Sequence, residues 1–196
     1  MILPVEFYQR DTVTVARDLL GCYLVHREDA GTTIGRIVED EAYIGEDPAA
    51  HSFRGETERN RAMFGPAGHA YVYRIYGIHN CVNVVTRREG IGEAVLIRAL
   101  EPVEGIDRMQ ERRGTEDRRL LCSGPGRLTE ALHITMEQNG RSLIDGPLQV
   151  WSAESLPGYP KVEEDEIVQT TRIGITKAAD LPLRFYIRGN RYVSRR

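Results

Sequence analysis

"YVYRIYGIHNCVNVV", residues 71–85, holds two strand-like patterns on either side of a turn. Up to Ile75 the side chains alternate with the period of two that a pleated strand imposes, so Tyr71, Tyr73 and Ile75 share one face. Tyr76 breaks the alternation: it lies three residues from Tyr73 and is followed at once by Gly77. The β-branched run "CVNVV" at 81–85 then restores a strand signal. A large aromatic at the point where the chain turns is poorly placed for a core.

The flanking sequence has the same character. Asp11 is placed to cap a helix carrying Val15, Ala16, Leu19 and Leu20, which stops at Gly21. "CYLVHR" and "TIGRIVEDEAY" read as strands joined by the turn "EDAGT", and "EAVLIRAL" as a further strand after the turn "RREGIG". Residues 44–69 are polar, with clustered Gly and Pro, and read as a long loop with one short helix at most; loops of this length in a compact domain are usually functional. Helices are expected over "PVEGIDRMQERR" and "RLTEALHI", and a last strand near "LRFYIR". No linker, repeat or low-complexity tract divides residues 1–196. Consecutive strands with short turns predict one α+β domain, an antiparallel sheet with helices packed on it.

Composition narrows the function. With 41% hydrophobic and 28% charged residues the chain suits a soluble globular protein. No apolar run approaches the ~20 residues of a membrane span, and the start lacks the basic and apolar regions of a signal peptide, so a cytoplasmic location is expected. Cys22, Cys81 and Cys122 form no CxxC pair, and reduced, buried thiols are expected. A net charge of −3 does not advertise a nucleic-acid partner. Yet Lys161 and Lys177 are the only lysines among 26 basic residues, and arginine suits bidentate phosphate contacts. A GC-rich genome explains that bias equally well. The tail "RFYIRGNRYVSRR" has five arginines and no acid, which is compatible with a basic DNA-facing surface.

Two strands carry chemistry. "IVEDEAY" puts Glu39, Glu41 and Tyr43 on one face and Asp40 on the other. Such an acidic strand is equally well a solvated edge, but Ile37 and Ala42 lie in the same run. A carboxylate held among apolar neighbours is a general-base candidate, and spacing does not choose between Glu39 and Glu41. In "AVLIRAL", Arg98 interrupts an otherwise buried strand, and a buried guanidinium needs an anionic partner, for which the strand carboxylates are the candidates. Asn83 makes a similar demand inside "CVNVV". His79 and Cys81 share a strand face, but two ligands are no metal site. No zinc-deaminase pattern, nucleotide-binding glycine motif or GxSxG elbow is present.

Taken in order, "LPVEFYQRDTVTVARDLLG", "GRIVEDEAYIGEDPAAHS", "RNRAMF", "YVYRIYGIHNCVNVV", "LIRALEP" and "CSGPGRL" closely resemble the alkyladenine (3-methyladenine) DNA glycosylase family in its bacterial-type form, nearly to the end of the chain. The resemblance implies a single domain with a curved sheet and a protruding β-hairpin. It also implies an enzyme of base excision repair that flips damaged purines, hypoxanthine included, out of duplex DNA and cleaves the N-glycosidic bond. By the "E-A-Y" motif it makes Glu41 the base that activates water, with Arg98 holding the water or the carboxylate. Tyr43, His51, Tyr73, Asn83 and Leu96 would form the base pocket, Asn83 clashing with the 2-amino group of guanine. Tyr76 would be the wedge that fills the vacated stack. No metal or cofactor is implied, and lyase chemistry is not expected with only two lysines. The partner is double-stranded DNA, the protein a monomer. A non-catalytic binder of distorted DNA is the alternative, although it has no need of Glu41. Asp40 and Asn80 depart from the family's usual threonine and aromatic, and Arg74 beside the wedge is less apolar than usual.

Overall fold

In a computed structural model, which describes residues 1–195, the stretch 71–85 forms the outer hairpin of an antiparallel sheet. β3 (Ala70–Ile75) pairs with β4 (His79–Thr86) from Ala70↔Val84 to Ile75↔His79. At the tip, Ile78 N–H donates to the Ile75 carbonyl, and Tyr76 and Gly77 both have positive φ, 52° and 73°. Two positive φ values mark the mirror-image turn that matches the twist of a hairpin. Glycine takes that conformation freely, whereas for tyrosine it costs roughly 1–2 kcal/mol. The strain sits on Tyr76, which is 87% exposed at the hairpin tip.

Inward from the hairpin the strands run β3-β4-β5-β2-β1-β6, with β5 spanning Glu93–Glu104, β2 Gly31–Tyr43, β1 Tyr23–Glu28 and β6 Leu148–Trp151. The outer edge of β2 is shared. β1 pairs with Gly31–Arg36, while β8 (Arg184–Ile187), itself paired with β7 (Ile167–Thr170), pairs with Glu39–Glu41. On its other side β2 pairs with β5, with register shifts between Ile37 and Asp40. The acidic triplet therefore lies between two partner strands at a bulge. Glu39, Asp40 and Glu41 are fully buried, and the reading of this strand as a solvated edge is overturned.

Register then builds the site. Across the sheet, Glu41 pairs with Leu96, Leu96 with Asn83, and Asn83 with Tyr71. Four strands thus place four side chains in one row, about 14 Å long at ~4.8 Å per strand. Tyr43 lies two residues along on the same face of β2, and Tyr73 two residues along on β3. The opposite face, with Val38, Ala42, Val95 and Ile97, joins Val15 and Leu19 in the main core.

Helices close that core. α1 (Val5–Tyr8) leads into α2 (Thr12–Leu19), where Asp11 accepts hydrogen bonds from Val13 N and Thr14 N at 3.1 Å, a cap worth about 1 kcal/mol. Val15, Ala16 and Leu19 are fully buried, as the spacing predicts. The expected helix from Pro102 begins later, as α3 (Ile106–Arg113), because β2 holds Glu101–Glu104 as strand. Pro102 sits beside a register shift, where its missing N–H is tolerated. The strand ends at Gly105, where a Cβ would meet the Thr32 carbonyl at 2.5 Å. α4 (Arg118–Leu121) and α5 (Pro125–Ala131) follow, the latter starting at a proline whose fixed φ suits a first turn. The loop 44–69 holds a single short 3-10 helix, Arg61–Phe64. All three cysteines are free and buried. No helix of the described residues is long and apolar enough to cross a membrane.

Candidate active site

Three members of the row, Leu96, Asn83 and Tyr71, floor a cavity of about 340 Å³. Tyr43, His51, Tyr71, Tyr73, Asn83, Leu96 and Arg98 line it, and Tyr76 stands at its rim. The residues to which the resemblance gives roles thus gather at this cavity, whereas His79 lines a separate one beside α5. Glu41 is one layer deeper, with Tyr43, Arg98 and Ile173 standing between it and the open space.

Each of those three holds the carboxylate. Tyr43 O–H donates to Glu41 Oε2 at 2.9 Å and Ile173 N–H to Oε1 at 2.8 Å, while Arg98 Nη1 lies 3.3 Å from Oε1. An ionised carboxylate has about four acceptor sites, so roughly one remains for a further donor. Burial raises the Glu41 carboxyl above its usual value, an effect that Arg98, the Ile173 amide and the Tyr43 hydroxyl offset only in part. The result is a desolvated carboxylate whose anionic form is partly supported by three donors.

Arg98 has the anionic partners its burial requires, and they are both strand carboxylates. Its Nε donates to Glu39 Oε1 at 3.1 Å. Glu39 also accepts from Arg184 Nε at 2.8 Å and from Ser194 through N (2.6 Å) and Oγ (2.9 Å). Spacing could not separate Glu39 from Glu41, but the contacts do. Glu39 is held by four donors away from the cavity, whereas the donors that hold Glu41 line it. Two carboxylates meet two guanidiniums, which leaves Asp40 without a counter-charge. Both Asp40 oxygens are buried with no hydrogen-bond partner, and burial with Glu39 and Glu41 alongside raises its carboxyl well above the usual range.

Aromatics occupy the far wall. His51 Nδ1 is 2.9 Å from the Tyr71 hydroxyl, and its ring meets Tyr73 edge-on at 4.5 Å. Burial, and then Arg59, lower the His51 pKa, so the imidazole is neutral at pH 7. Asn83 Nδ2 donates to the Tyr71 carbonyl at 3.0 Å, which fixes its side chain at the cavity surface. Asn80 ties the hairpin to α5: it donates to Ile134 O at 3.1 Å and its carbonyl accepts from Thr129 Oγ1 at 2.9 Å. The side chain at residue 80 thus contributes one hydrogen bond, and its Oδ1 is buried without a partner.

Some participants were not foreseen. Arg184 belongs to the tail read as a basic DNA-facing surface, but it is buried on Glu39; Arg196 lies outside the described residues. Arg172 forms a fully buried ion pair with Asp47 and lies over the Tyr43 ring at 4.7 Å. "TTRIGIT" signals neither its burial nor a partner 125 residues away. Among the described residues, no three His, Cys, Asp or Glu side chains are grouped to hold a metal ion.

A family profile described as methylpurine-DNA glycosylase (MPG) matches residues 6–191. A protein of Methanoculleus marisnigri named "Putative 3-methyladenine DNA glycosylase" is 70% identical over 196 residues, all of both chains. One of the same name from Carboxydothermus hydrogenoformans is 53% identical, again over all of both chains. A third, from Chlorobaculum parvum, is 50% identical over 98% of this chain and 90% of its own. The chain belongs to the methylpurine-DNA glycosylase family, and with it to the enzymes that hydrolyse N-glycosidic bonds in DNA.

Proposed function

We propose that this glycosylase flips 3-methyladenine-type alkylated purines and hypoxanthine out of duplex DNA and hydrolyses their N-glycosidic bond with a water activated by Glu41. The observation that carries the reading is the position of Glu41. It is a fully buried carboxylate held by Tyr43, Arg98 and the Ile173 amide, directly behind an aromatic cavity. As the C1′–N bond breaks, positive charge builds on the sugar, and a nearby carboxylate both stabilises it and takes the proton of the water that bonds to C1′. Stacking of a flipped purine on the cavity's rings offers ~1–3 kcal/mol per contact, comparable with the cost of extrusion. Electron-rich rings favour a cationic alkylated purine further. Asn83, fixed by the Tyr71 carbonyl, excludes guanine by meeting its 2-amino group.

The test is single-turnover release of free base from duplexes with one 3-methyladenine, one hypoxanthine or no lesion. Release from both damaged duplexes is expected. Release of 3-methyladenine alone would strike deaminated purines from the proposal, and comparable cleavage of free nucleosides would strike out flipping.

Tyr76 is the proposed wedge, because a strained, 87% exposed aromatic on a hairpin tip has no packing role. Tyr76→Ser is expected to weaken lesion-duplex binding about 5- to 150-fold, one lost base stack. Single-turnover cleavage at saturating enzyme should persist. Fluorescence anisotropy checks the first part, and an unchanged affinity would remove the wedge.

A further inference from the structure

The donors that orient Glu41 share a support. Tyr43 O–H is set by the tilt of the Tyr43 ring, and the Ile173 amide by the loop that follows β7. Arg172 touches both: its guanidinium lies 4.7 Å over the Tyr43 ring, and it is the residue before Ile173 in the chain. Its Nη1 also donates to the Ala42 carbonyl at 3.2 Å, and Nη2 to the Ala178 carbonyl at 3.4 Å. Asp47, itself fully buried, supplies the counter-charge. A planar fork fixed at both nitrogens is a rigid spacer between β2 and the 171–178 loop in a way that a flexible ammonium is not.

We propose that Arg172, anchored by Asp47, is the positioning residue of the general base, setting Tyr43 and the Ile173 amide at hydrogen-bond distance from the two Glu41 oxygens. This rests on the reading of Glu41 as general base. The pair itself does not reach the reacting atoms. Its effect passes through the two hydrogen bonds that hold Glu41 as an anion.

The other groups around Glu41 make no hydrogen bond or ion pair with Arg172 or Asp47. They are Arg98 on β5, Cys81 on β4, and Glu39 on β2 with Arg184 behind it. Loosening the Tyr43 and Ile173 bonds therefore favours the protonated carboxyl, and the acid limb of the reaction moves to higher pH.

The experiment follows the single-turnover rate against pH for the wild type, the double variant Asp47→Asn/Arg172→Gln, Arg172→Lys and Glu41→Gln on one lesion duplex. The double variant removes both charges, so no orphan ion is left buried. Its acid limb is expected about one pH unit higher, a roughly tenfold slower rate below the limb. Arg172→Lys keeps the charge but loses the fork, and its limb should fall between the two. Should the double variant not fold, the Arg172→Lys limb decides alone. Limbs that stay at the wild-type pH while thermal stability falls would show a merely structural pair and overturn the proposal. A limb that survives in Glu41→Gln would instead overturn the general-base reading, and the Arg172 proposal with it.

Discussion

Glu41→Gln is expected to slow release of the damaged base by at least ~10²–10⁴-fold, the usual contribution of a general base, while lesion-duplex affinity stays within about threefold of wild type. The amide keeps the shape of the carboxylate but cannot take a proton from water or oppose positive charge on the sugar. The substitution is structurally mild, because Arg98 keeps Glu39 as its partner at 3.1 Å. Glutamine also retains an oxygen that can accept from the Ile173 amide or Tyr43. Single-turnover kinetics and a binding titration on the same duplex separate the two effects. A variant that binds and still cleaves at the wild-type rate would remove Glu41 from the mechanism. Loss of binding and cleavage together would mean that Glu41 holds the pocket rather than running the chemistry.

Asp40→Asn should make the protein more stable, and increasingly so as pH rises. The native carboxyl of Asp40 is raised well above the unfolded value of ~3.9, with burial the main cause and Glu39 and Glu41 adding to it. Between those two values the native state binds a proton that the unfolded state has released. Stability therefore falls with increasing pH, by up to about 1.4 kcal/mol per unit from this group, and is fully present only below the unfolded value. Asparagine cannot ionise, so its curve lacks this slope, and the two proteins diverge from about pH 4 upward. Urea unfolding across pH 4–9 measures the gap. Parallel curves would mean that Asp40 is ionised in the native protein, and that the lack of a facing cation carries no cost. The side chain lies on the face of β2 away from Glu41, so base release per folded molecule should not change.

Local signals made half of this architecture legible. Alternation in "YVYRIY" put Tyr71 and Tyr73 on one face, and both line the cavity. Alternation in "IVEDEAY" likewise separated Glu41 from Asp40. Asp11 marked α2 because a cap is written in the first turn of a helix. The misses share a cause. β6 and β7 are four residues each, too short for a period to show. Pro102 looked like a helix start because a strand proline is tolerated only beside an irregularity such as the one found there. Whether the acidic triplet is an edge or an interior depends on β8, about 145 residues later in the chain. The same holds for Arg172 and Asp47: neither says from its own neighbourhood that the other will cover it. Contacts built by the fold are invisible to patterns read along the chain.

The clamp on Glu39 has a consequence for how the enzyme comes into being. Ser194 closes on a carboxylate 155 residues earlier in the chain, and Arg184, Arg172 and Ile173 also come late. At ~5–20 residues per second, a growing polypeptide carries its glutamates for on the order of 10–30 s before the residues that hold them exist. Throughout that interval the hairpin is already made while the hydrolytic centre is not. Fragments cut before residue 172 are therefore expected to release no damaged base, which an assay of a chain ending at residue 171 checks.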